Sequence, residues 1–330
     1  MTIKLIKSLV LLTVYSFLSC AYSQDEKPQW IKLSTNSPTM SAENAMVYDI
    51  YNKKIINYGG RSGFPEFKWI NETWAFDYKK SLWKNMKPAN SPPWRSSHAM
   101  AYDTLRHRTL LFGGNNFSNA LNDLWLYDYQ SNNWTQITTS NTPEQRQMHG
   151  MVYIPDRDII MMFGGRKSNG GASFSDTWEL GCTTMTWKKL TPKRTPPVSD
   201  HINIVYDEFS KKVILYVNFE TWAYDFNTKN WTKLIIPNTP DSGHSNFVYN
   251  TILKKSILFG DSKNSNQMHT WLFDYALKSW TDITPRYFPD IDFYEHEFIE
   301  HASMIYMNDK NSIIQYGGCC SKQTLELKLN

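Results

Sequence analysis

The chain has 330 residues, of which 41% are hydrophobic and 20% charged, so it can bury a core and lacks the composition of a disordered protein. Its formal net charge is only +4 and it has no long basic run, which argues against a nucleic-acid partner or an anionic membrane surface. Aromatic residues are frequent, with 13 Trp, 19 Tyr and 17 Phe. An evenly spaced set of Trp residues is typical of a repeat protein.

Residues 1–23 have the pattern of a cleaved signal peptide. Two lysines precede an apolar stretch, residues 9–18, which is too short to span a bilayer comfortably, and small residues then predict cleavage after Ser23. The alternative is a lipoprotein acylated at Cys20, although the residues before that cysteine fit a lipoprotein signal poorly. We therefore expect a secreted or periplasmic protein that does not span the membrane, with a mature domain at 24–330.

A pair of Trp residues nine positions apart recurs five times along the mature chain. The pairs are Trp74 and Trp83, Trp125 and Trp134, Trp178 and Trp187, Trp222 and Trp231, and Trp271 and Trp280. Before most pairs comes an apolar, β-rich run that ends in two glycines. Gly59-Gly60, Gly113-Gly114 and Gly164-Gly165 precede three of the five pairs, and Gly317-Gly318 ends the same kind of run in the last repeat. Another short strand ending in Tyr precedes each apolar run, so each unit is predicted to contain four strands.

Units of about fifty residues with four strands are typical of β-propeller blades. The predicted blades one to six are 42–86, 95–137, 146–190, 199–234, 243–283 and 299–329. The glycine doublet after an apolar strand, followed by the two Trp positions, resembles the kelch repeat, and the resemblance covers essentially the whole mature chain. It implies an all-β, six-bladed kelch-type propeller with four-stranded antiparallel blades. A more distant resemblance to exported sialic-acid mutarotase-like kelch proteins also exists.

The two ends of the mature chain are predicted to complete one blade together. The last repeat has Leu325 at the first Trp position, but no second Trp follows. The segment 24–34 contains Trp30 and resembles the fourth strands around Trp187 and Trp231. We therefore expect this segment to form the outer strand of blade six, which removes an exposed sheet edge.

A histidine recurs near the start of the inner strands. The set comprises His98, His149, His201, His244 and His301, each four or five residues before the Tyr of its strand. They suit a ligand-binding ring at the channel or acid–base chemistry, but polar residues at strand starts more often satisfy backbone groups. The spacing changes from four to five between blades three and four, which swaps faces on a regular strand and weakens the idea of a ring.

Arginines and an acidic loop supply the remaining candidate site residues. Arg95 and Arg146 each stand three residues before a histidine, and with His149 and His301 they are the catalytic candidates. Arg61 and Arg166 follow glycine doublets, in loops expected on one face. The loop that enters blade six contains His296 and Glu297, whose spacing to His301 does not fit a zinc protease. The binding candidates are Arg61, Arg166, His98, His201, His244, His296 and Glu297.

The cysteines allow one disulfide hypothesis, a strained vicinal bond between Cys319 and Cys320, because an exported chain meets oxidising conditions. We expect no metal site and no cofactor, because the ligand set of a galactose-oxidase-like copper centre cannot be placed here. The leading hypothesis is a monomeric binding module that recognises a glycan or a protein through the loops of one face. The alternative is a carbohydrate-active enzyme of the mutarotase or polysaccharide-lyase kind on the same face.

Overall fold

The computed structural model describes residues 28–34, 36–38, 41–62, 68–168, 170–199, 201–264, 267–285, 301–318 and 321–329. These residues contain 24 β-strands and one 3-10 turn, Pro155–Arg157, so the all-β class is confirmed. Within the same ranges, no helix has the length and apolar character needed to cross a membrane. The predicted signal peptide lies outside the described residues.

The strands of blades one to three follow the order of the chain. They are β2 (Ala45–Asp49), β3 (Lys54–Tyr58), β4 (Thr73–Asp77), β5 (Leu82–Asn85), β6 (Ala99–Asp103), β7 (Arg108–Phe112), β8 (Leu124–Asp128), β9 (Asn133–Ile137), β10 (Gly150–Ile154), β11 (Ile159–Phe163), β12 (Thr177–Gly181) and β13 (Thr186–Leu190). Each consecutive group of four forms one antiparallel sheet.

Blades four to six continue this order until the last sheet, which takes its outer strand from the start of the chain. The strands are β14 (Asn203–Asp207), β15 (Lys212–Val217), β16 (Glu220–Asp225), β17 (Asn230–Leu234), β18 (Ser242–Asn250), β19 (Lys255–Ser262), β20 (Met268–Asp274), β21 (Ser279–Asp282), β22 (Ser303–Met307), β23 (Ser312–Tyr316), β24 (Thr324–Lys328) and β1 (Gln29–Ser34). The first strand of each blade lies beside the first strands of its two neighbours, so these six inner strands surround a central channel.

The N-terminal strand β1 completes blade six, as the sequence predicts. It pairs antiparallel with β24, and Trp30 lies opposite Leu327. The equivalent pair in blade one is Trp83 opposite Phe76. Trp30 is fully buried, and its ring contacts Phe259 of blade five at a centroid distance of 4.4 Å. The ring is therefore closed by strand pairing between the two ends of the chain.

Apolar clusters between neighbouring blades form the core, and the two Trp positions contribute unequally to it. The second Trp of each pair is buried, as for Trp83 and Trp134. The first Trp is only half-buried at the margin of a cluster. In blades one to four its indole N–H donates to a carboxylate two residues earlier, as Trp74 does to Glu72 at 2.7 Å. The expectation that both Trp residues fill the wedge between blades is therefore correct only for the second, because the first lies at the loop end of its strand.

The glycine doublets allow close backbone approach, both between neighbouring blades and within a blade, at the face that carries the candidate site. Gly113 and Gly114 have φ of +63° and +100°, in the left-handed region that favours glycine. A Cβ on Gly113 would lie 2.7 Å from the carbonyl oxygen of Arg146, and one on Gly114 would lie 2.7 Å from that of Ser96. The doublets thus fix the loops that rise around the channel mouth.

Candidate functional site

The side chains around the channel mouth come from the same backbone position in every blade. In every blade but the fifth, this position lies two residues before the point at which the inner strand begins to pair with the second strand. Strand register defines this position, because Ala99 pairs with Phe112 in blade two and Asn203 pairs with Tyr216 in blade four. Ser97 and His201 are therefore equivalent. The six residues at this position, called the mouth residues below, are Glu43, Ser97, Met148, His201, His244 and His301.

Hydrogen bonds between blades hold the backbone of the mouth residues. The N–H of Glu43 donates to the carbonyl of His301, that of Ser97 to Glu43, and that of Met148 to Ser97, each at 2.8 Å. Glu43, Ser97, Met148, His201 and His301 have φ between 54° and 63°, the left-handed region that non-glycine residues seldom adopt. At Glu43, Ser97 and Met148 these bonds replace strand pairing before the inner strand and compensate for that backbone conformation.

The next position along the chain points away from the mouth and packs between blades. His98 and His149 occupy this position. Cε1 of His98 lies 3.0 Å from the place that a Cβ on Gly59 would take, and Cε1 of His149 lies 3.0 Å from that of a Cβ on Gly113. The His98 ring also makes an edge contact with Tyr58. Burial lowers the pKa of His98 to about 3 and holds that of His149 well below its ordinary value. Both imidazoles are therefore neutral packing groups, and this position does not suit the catalytic role considered for His149 or the binding role considered for His98.

Arg95 and Arg146 are likewise enclosed, although they were catalytic candidates. Both side chains are fully buried. The Arg95 guanidinium donates to both oxygens of Asp123 at 2.6 and 2.8 Å, and Arg146 does the same to Asp176 at 2.7 and 3.0 Å. Each also donates to the carbonyl of the first glycine of its own blade's doublet. These arginines hold the doublet loops in place, so they cannot reach a substrate without breaking buried ion pairs.

The mouth residues other than Ser97 form the floor of an open bowl with a volume of about 490 Å³. Its lining comprises Glu43, Arg61, Trp69, Asn115, Phe117, Gln147, Met148, Arg166, His201, His244 and His301. The two binding candidates Arg61 and Arg166 thus reach the same cavity, together with the predicted residues His201, His244 and His301. Of the four catalytic candidates, His301 is the one that lines the bowl.

A charged group anchors one side of the floor. Arg61 donates to Glu43 at 2.7 Å, and the hydroxyls of Ser96 and Ser97 donate to the other carboxylate oxygen at 2.7 and 2.6 Å. Burial alone would raise the pKa of Glu43, but the Arg61 guanidinium and the two hydroxyls outweigh it and lower the pKa to about 2. Glu43 is therefore a fixed carboxylate that orients Arg61 at the bowl.

The three histidines of blades four, five and six, called the imidazole triad below, meet at the other side of the floor. Their ring centroids are 5.6 Å apart for His201 and His244, 5.1 Å for His201 and His301, and 5.2 Å for His244 and His301. One ligand nitrogen of each lies within 4.8 Å of the others. Burial is the largest cause that lowers the pKa of His301, to about 4, and the two neighbouring imidazoles add to it. Such a donor set can hold a transition metal, in contrast to the expectation of no metal site.

An aromatic rim borders the bowl beside Arg61. Trp69 lies 5.4 Å from Trp94 and 6.4 Å from Phe117 between ring centroids. Trp94 is 40% exposed and Phe117 is 73% exposed, so this cluster presents apolar surface to solvent at the edge of the cavity. Phe117 has a φ of 75°, which fixes it at the tip of the loop after Gly113-Gly114.

Some candidates lie outside the described residues. His296 and Glu297 belong to the segment 286–300. Cys319 and Cys320 also lie outside the described residues, so the vicinal disulfide between them stays a prediction. Cys182 is a buried free thiol. It packs in the cluster between blades two and three.

The sequence contained a signal for the imidazole triad that was interpreted the wrong way. His98 and His149 stand four residues before their Tyr, whereas His201, His244 and His301 stand five before theirs. On a regular strand such a change of spacing swaps faces, which argues against a ring of histidines. It instead separates two packing histidines from three that face the bowl, since adjacent positions point in opposite directions. Glu43, also five residues before its Tyr, was missed.

Comparisons with known proteins agree with this architecture. A family profile described as "KLHDC2/KLHL20/DRC7 Kelch-repeats domain" matches residues 15–217. The chain is 25% identical over 190 residues to acyl-CoA-binding domain-containing protein 5 of Arabidopsis thaliana, covering 56% of this chain and 28% of that protein. It is 26% identical over 182 residues to human kelch domain-containing protein 10, covering 52% and 40%. It is 23% identical over 226 residues to bovine kelch domain-containing protein 2, covering 66% and 47%. The chain thus spans less than half of the length of these relatives.

Proposed function

This chain belongs to the kelch-repeat family, and from that premise we propose that it is an exported binding module that recognises a protein partner through the bowl and its aromatic rim. Kelch propellers generally mediate protein interactions. A fold alone does not assign a function, so the proposal depends on the surface chemistry of this particular face. The signal-peptide pattern of residues 1–23 supports the part of the proposal that concerns export.

The observation that carries the proposal is the exposed aromatic cluster at the edge of a deep cavity. Trp94 and Phe117 expose large apolar side chains beside Trp69, and Arg61 and Arg166 line the adjoining bowl. Aromatic residues and Arg are the residue types enriched at the energetic centres of protein interfaces. A partner segment that enters the bowl would bury this rim, and Glu43 holds Arg61 in position to meet it.

Site-specific photo-cross-linking tests this proposal. A photoreactive phenylalanine is placed at Phe117, and a matched control places it at Leu105, which is 59% exposed beside Thr104 at the opposite end of the channel. In the producing cell, we expect position 117 to cross-link to one protein partner and position 105 not to do so. Equal cross-linking at both positions, or none at position 117, would overturn the assignment of this face.

A glycan is the other ligand considered, since aromatic rings with arginine also suit sugars. Purified protein on a glycan array distinguishes the two classes. We expect no glycan signal that depends on Phe117. A signal that is present in the wild type, lost in Phe117→Ala and kept in Leu105→Ala would replace the protein partner with a glycan.

A carbohydrate-active enzyme is the second candidate function, and the imidazole of His301 in the bowl favours it. Burial and the other triad imidazoles keep the pKa of His301 near 4, so this ring is an uncharged base at neutral pH. Accelerated anomer exchange, or a new double bond that absorbs in the ultraviolet, would support an enzyme if His301→Gln abolishes it. Turnover that His301→Gln leaves unchanged would exclude this role for the triad.

A further inference from the structure

The imidazole triad is assembled by equivalent positions of three consecutive blades. His201, His244 and His301 are all mouth residues, and each is half-buried at the floor of the bowl. His201 and His301 keep the left-handed backbone conformation at this position. His244 lies within β18, whereas His201 and His301 stand two residues before β14 and β22, so three separate blades place the rings.

The spacing of the rings is close to what one metal ion requires. Zinc-bound imidazole nitrogens lie about 2.0–2.1 Å from the metal, so two of them in a tetrahedral site are about 3.3 Å apart. The ligand nitrogens of the triad lie within 4.8 Å of one another. Rotations of the half-buried rings about their side-chain torsions bring the nitrogens closer without moving the strands.

We propose that His201, His244 and His301 bind one divalent transition-metal ion, with Zn²⁺ as the first candidate, and leave its fourth position open toward the bowl. Three imidazoles with one open position form a zinc site of the kind that accepts water or an anionic ligand group. This site goes beyond the proposed binding function, because it adds a metal and an anion-binding position to a surface otherwise described by aromatic and arginine side chains.

The charges around the triad are compatible with a bound dication. Glu43 and Arg61 pair with each other at 2.7 Å beside the triad, and the Asp261 carboxylate accepts from the backbone N–H of His244 at 3.0 Å. The positive charge of Arg61 is therefore balanced at the site. Two further cations, Arg166 and Lys263, line cavities that they share with the triad histidines. Glu43 also donates its backbone N–H to the carbonyl of His301 at 2.8 Å, which fixes the backbone of that ligand.

A second group of potential ligands within the described residues does not carry the same inference. Asp103, Asp158 and Cys182 also lie within ligand distance of one another. Their carboxylates, however, already accept hydrogen bonds from Arg106 at 3.0 and 2.6 Å. A metal there would have to displace a guanidinium, whereas the triad faces a cavity.

Metal binding is tested with the mature protein, purified without a histidine tag and stripped of metal. Zn²⁺ alone is titrated calorimetrically into the wild type, His201→Gln and His244→Gln. The matched control is His107→Gln. His107 is an exposed histidine in the β6–β7 turn, and its ring stacks on Tyr51. We expect one Zn²⁺ per chain in the wild type and the control, and at least tenfold weaker binding in both triad variants. No uptake by the wild type, or equal affinity in the triad variants and the control, would overturn the site.

A measurement on the wild-type protein covers the case in which a triad variant does not fold. X-ray absorption of the Zn²⁺-loaded protein is expected to show nitrogen and oxygen neighbours at about 2.0–2.1 Å and no sulfur. Co²⁺ substitution should likewise give visible bands without a thiolate charge-transfer band. A sulfur neighbour would place the metal at cysteine instead and overturn the proposal.

Discussion

The indole N–H of Trp83 donates to Thr324 Oγ1 at 2.8 Å, and this bond joins blade one to blade six at the point where the ring closes. The same bond between a second Trp and the first Thr of the preceding blade's third strand recurs at three other blade boundaries, all at 2.9 Å. These pairs are Trp134 and Thr73, Trp231 and Thr177, and Trp280 and Thr221. Two boundaries differ. Between blades two and three, Leu124 stands at the Thr position and the Trp187 N–H has no hydrogen-bond partner, and between blades five and six the Trp30 N–H and the Thr270 hydroxyl both lack one.

The unpartnered indole predicts an unusual order of stability at position 124. Thr and Val have nearly the same shape. At a buried position the protein with Val is normally the more stable, because the Thr hydroxyl is a polar group. Here we expect Leu124→Thr to be more stable than Leu124→Val by about 1 kcal/mol, because the hydroxyl supplies the acceptor that Trp187 lacks. Urea unfolding of both variants measures the difference.

The opposite change at an intact boundary is the control for position 124. Thr177→Val leaves the Trp231 N–H buried without an acceptor, so we expect a loss of about 1–3 kcal/mol. If Val is at least as stable as Thr at both positions, these inter-blade bonds do not contribute to the stability of the ring.

The blade arrangement could be predicted because each blade repeats its core residues. The nine-residue spacing of the Trp pairs locates the third and fourth strands of five blades, and the unmatched Trp30 reveals the missing outer strand. The unequal burial of the two Trp residues could not be predicted, since it depends on which end of the strand enters the wedge between blades. The enclosure of Arg95 and Arg146 depends on Asp123 and Asp176, which stand 28 and 30 residues further along the chain.

The glycine doublets give a second prediction. Gly113→Ala combines a positive φ with a Cβ placed 2.7 Å from a backbone oxygen and 3.0 Å from the His149 ring. Gly170 has a similar φ of +76°, but a Cβ there would meet nothing within 4 Å. We expect Gly170→Ala to lower stability by about 1 kcal/mol and Gly113→Ala by clearly more, because only the latter also forces two blades apart. Equal melting temperatures for the two variants would show that the close approach is unimportant.

Closure by the N-terminal strand gives a third prediction. Deletion of residues 24–34 removes the partner of β24 and exposes the edge of blade six, so we expect a large fall in the melting temperature and aggregation. Trp30→Ala should cost about 3–5 kcal/mol, as truncation of a buried aromatic residue generally does. Trp74→Ala, at a half-buried position, is the control and should cost less. A truncated chain that melts like the intact protein would contradict the closure.

The carboxylate of Glu43 gives a prediction for acid stability. Its pKa is lowered to about 2 in the folded state, against an ordinary value of 4.5. Its interactions with Arg61, Ser96 and Ser97 therefore stabilise the fold above pH 4.5, and this contribution disappears as the pH falls from 4.5 toward 2. Glu43→Gln should flatten the pH dependence of the unfolding free energy in that window. An unchanged slope in the variant would mean that other groups determine the acid sensitivity.

The candidate site was harder to predict than the fold because a single residue of register decides which way a side chain faces. His149 and His201 are both buried or half-buried histidines at the start of an inner strand, yet one packs on Gly113 and the other reaches the bowl. A difference of four against five residues before the Tyr carries this information. The aromatic rim had no periodic signal, because Trp69 and Phe117 come from loops of different length that only the ring brings together.

The bowl and its rim, on one face of the propeller, are proposed to bind the partner. The most direct test is calorimetric titration of the partner identified by cross-linking into wild-type, Phe117→Ala and Leu105→Ala proteins. We expect Phe117→Ala to weaken binding at least tenfold, about 1.4 kcal/mol, while Leu105→Ala binds like the wild type. Unchanged affinity in Phe117→Ala, or a loss confined to Leu105→Ala, would contradict this proposal.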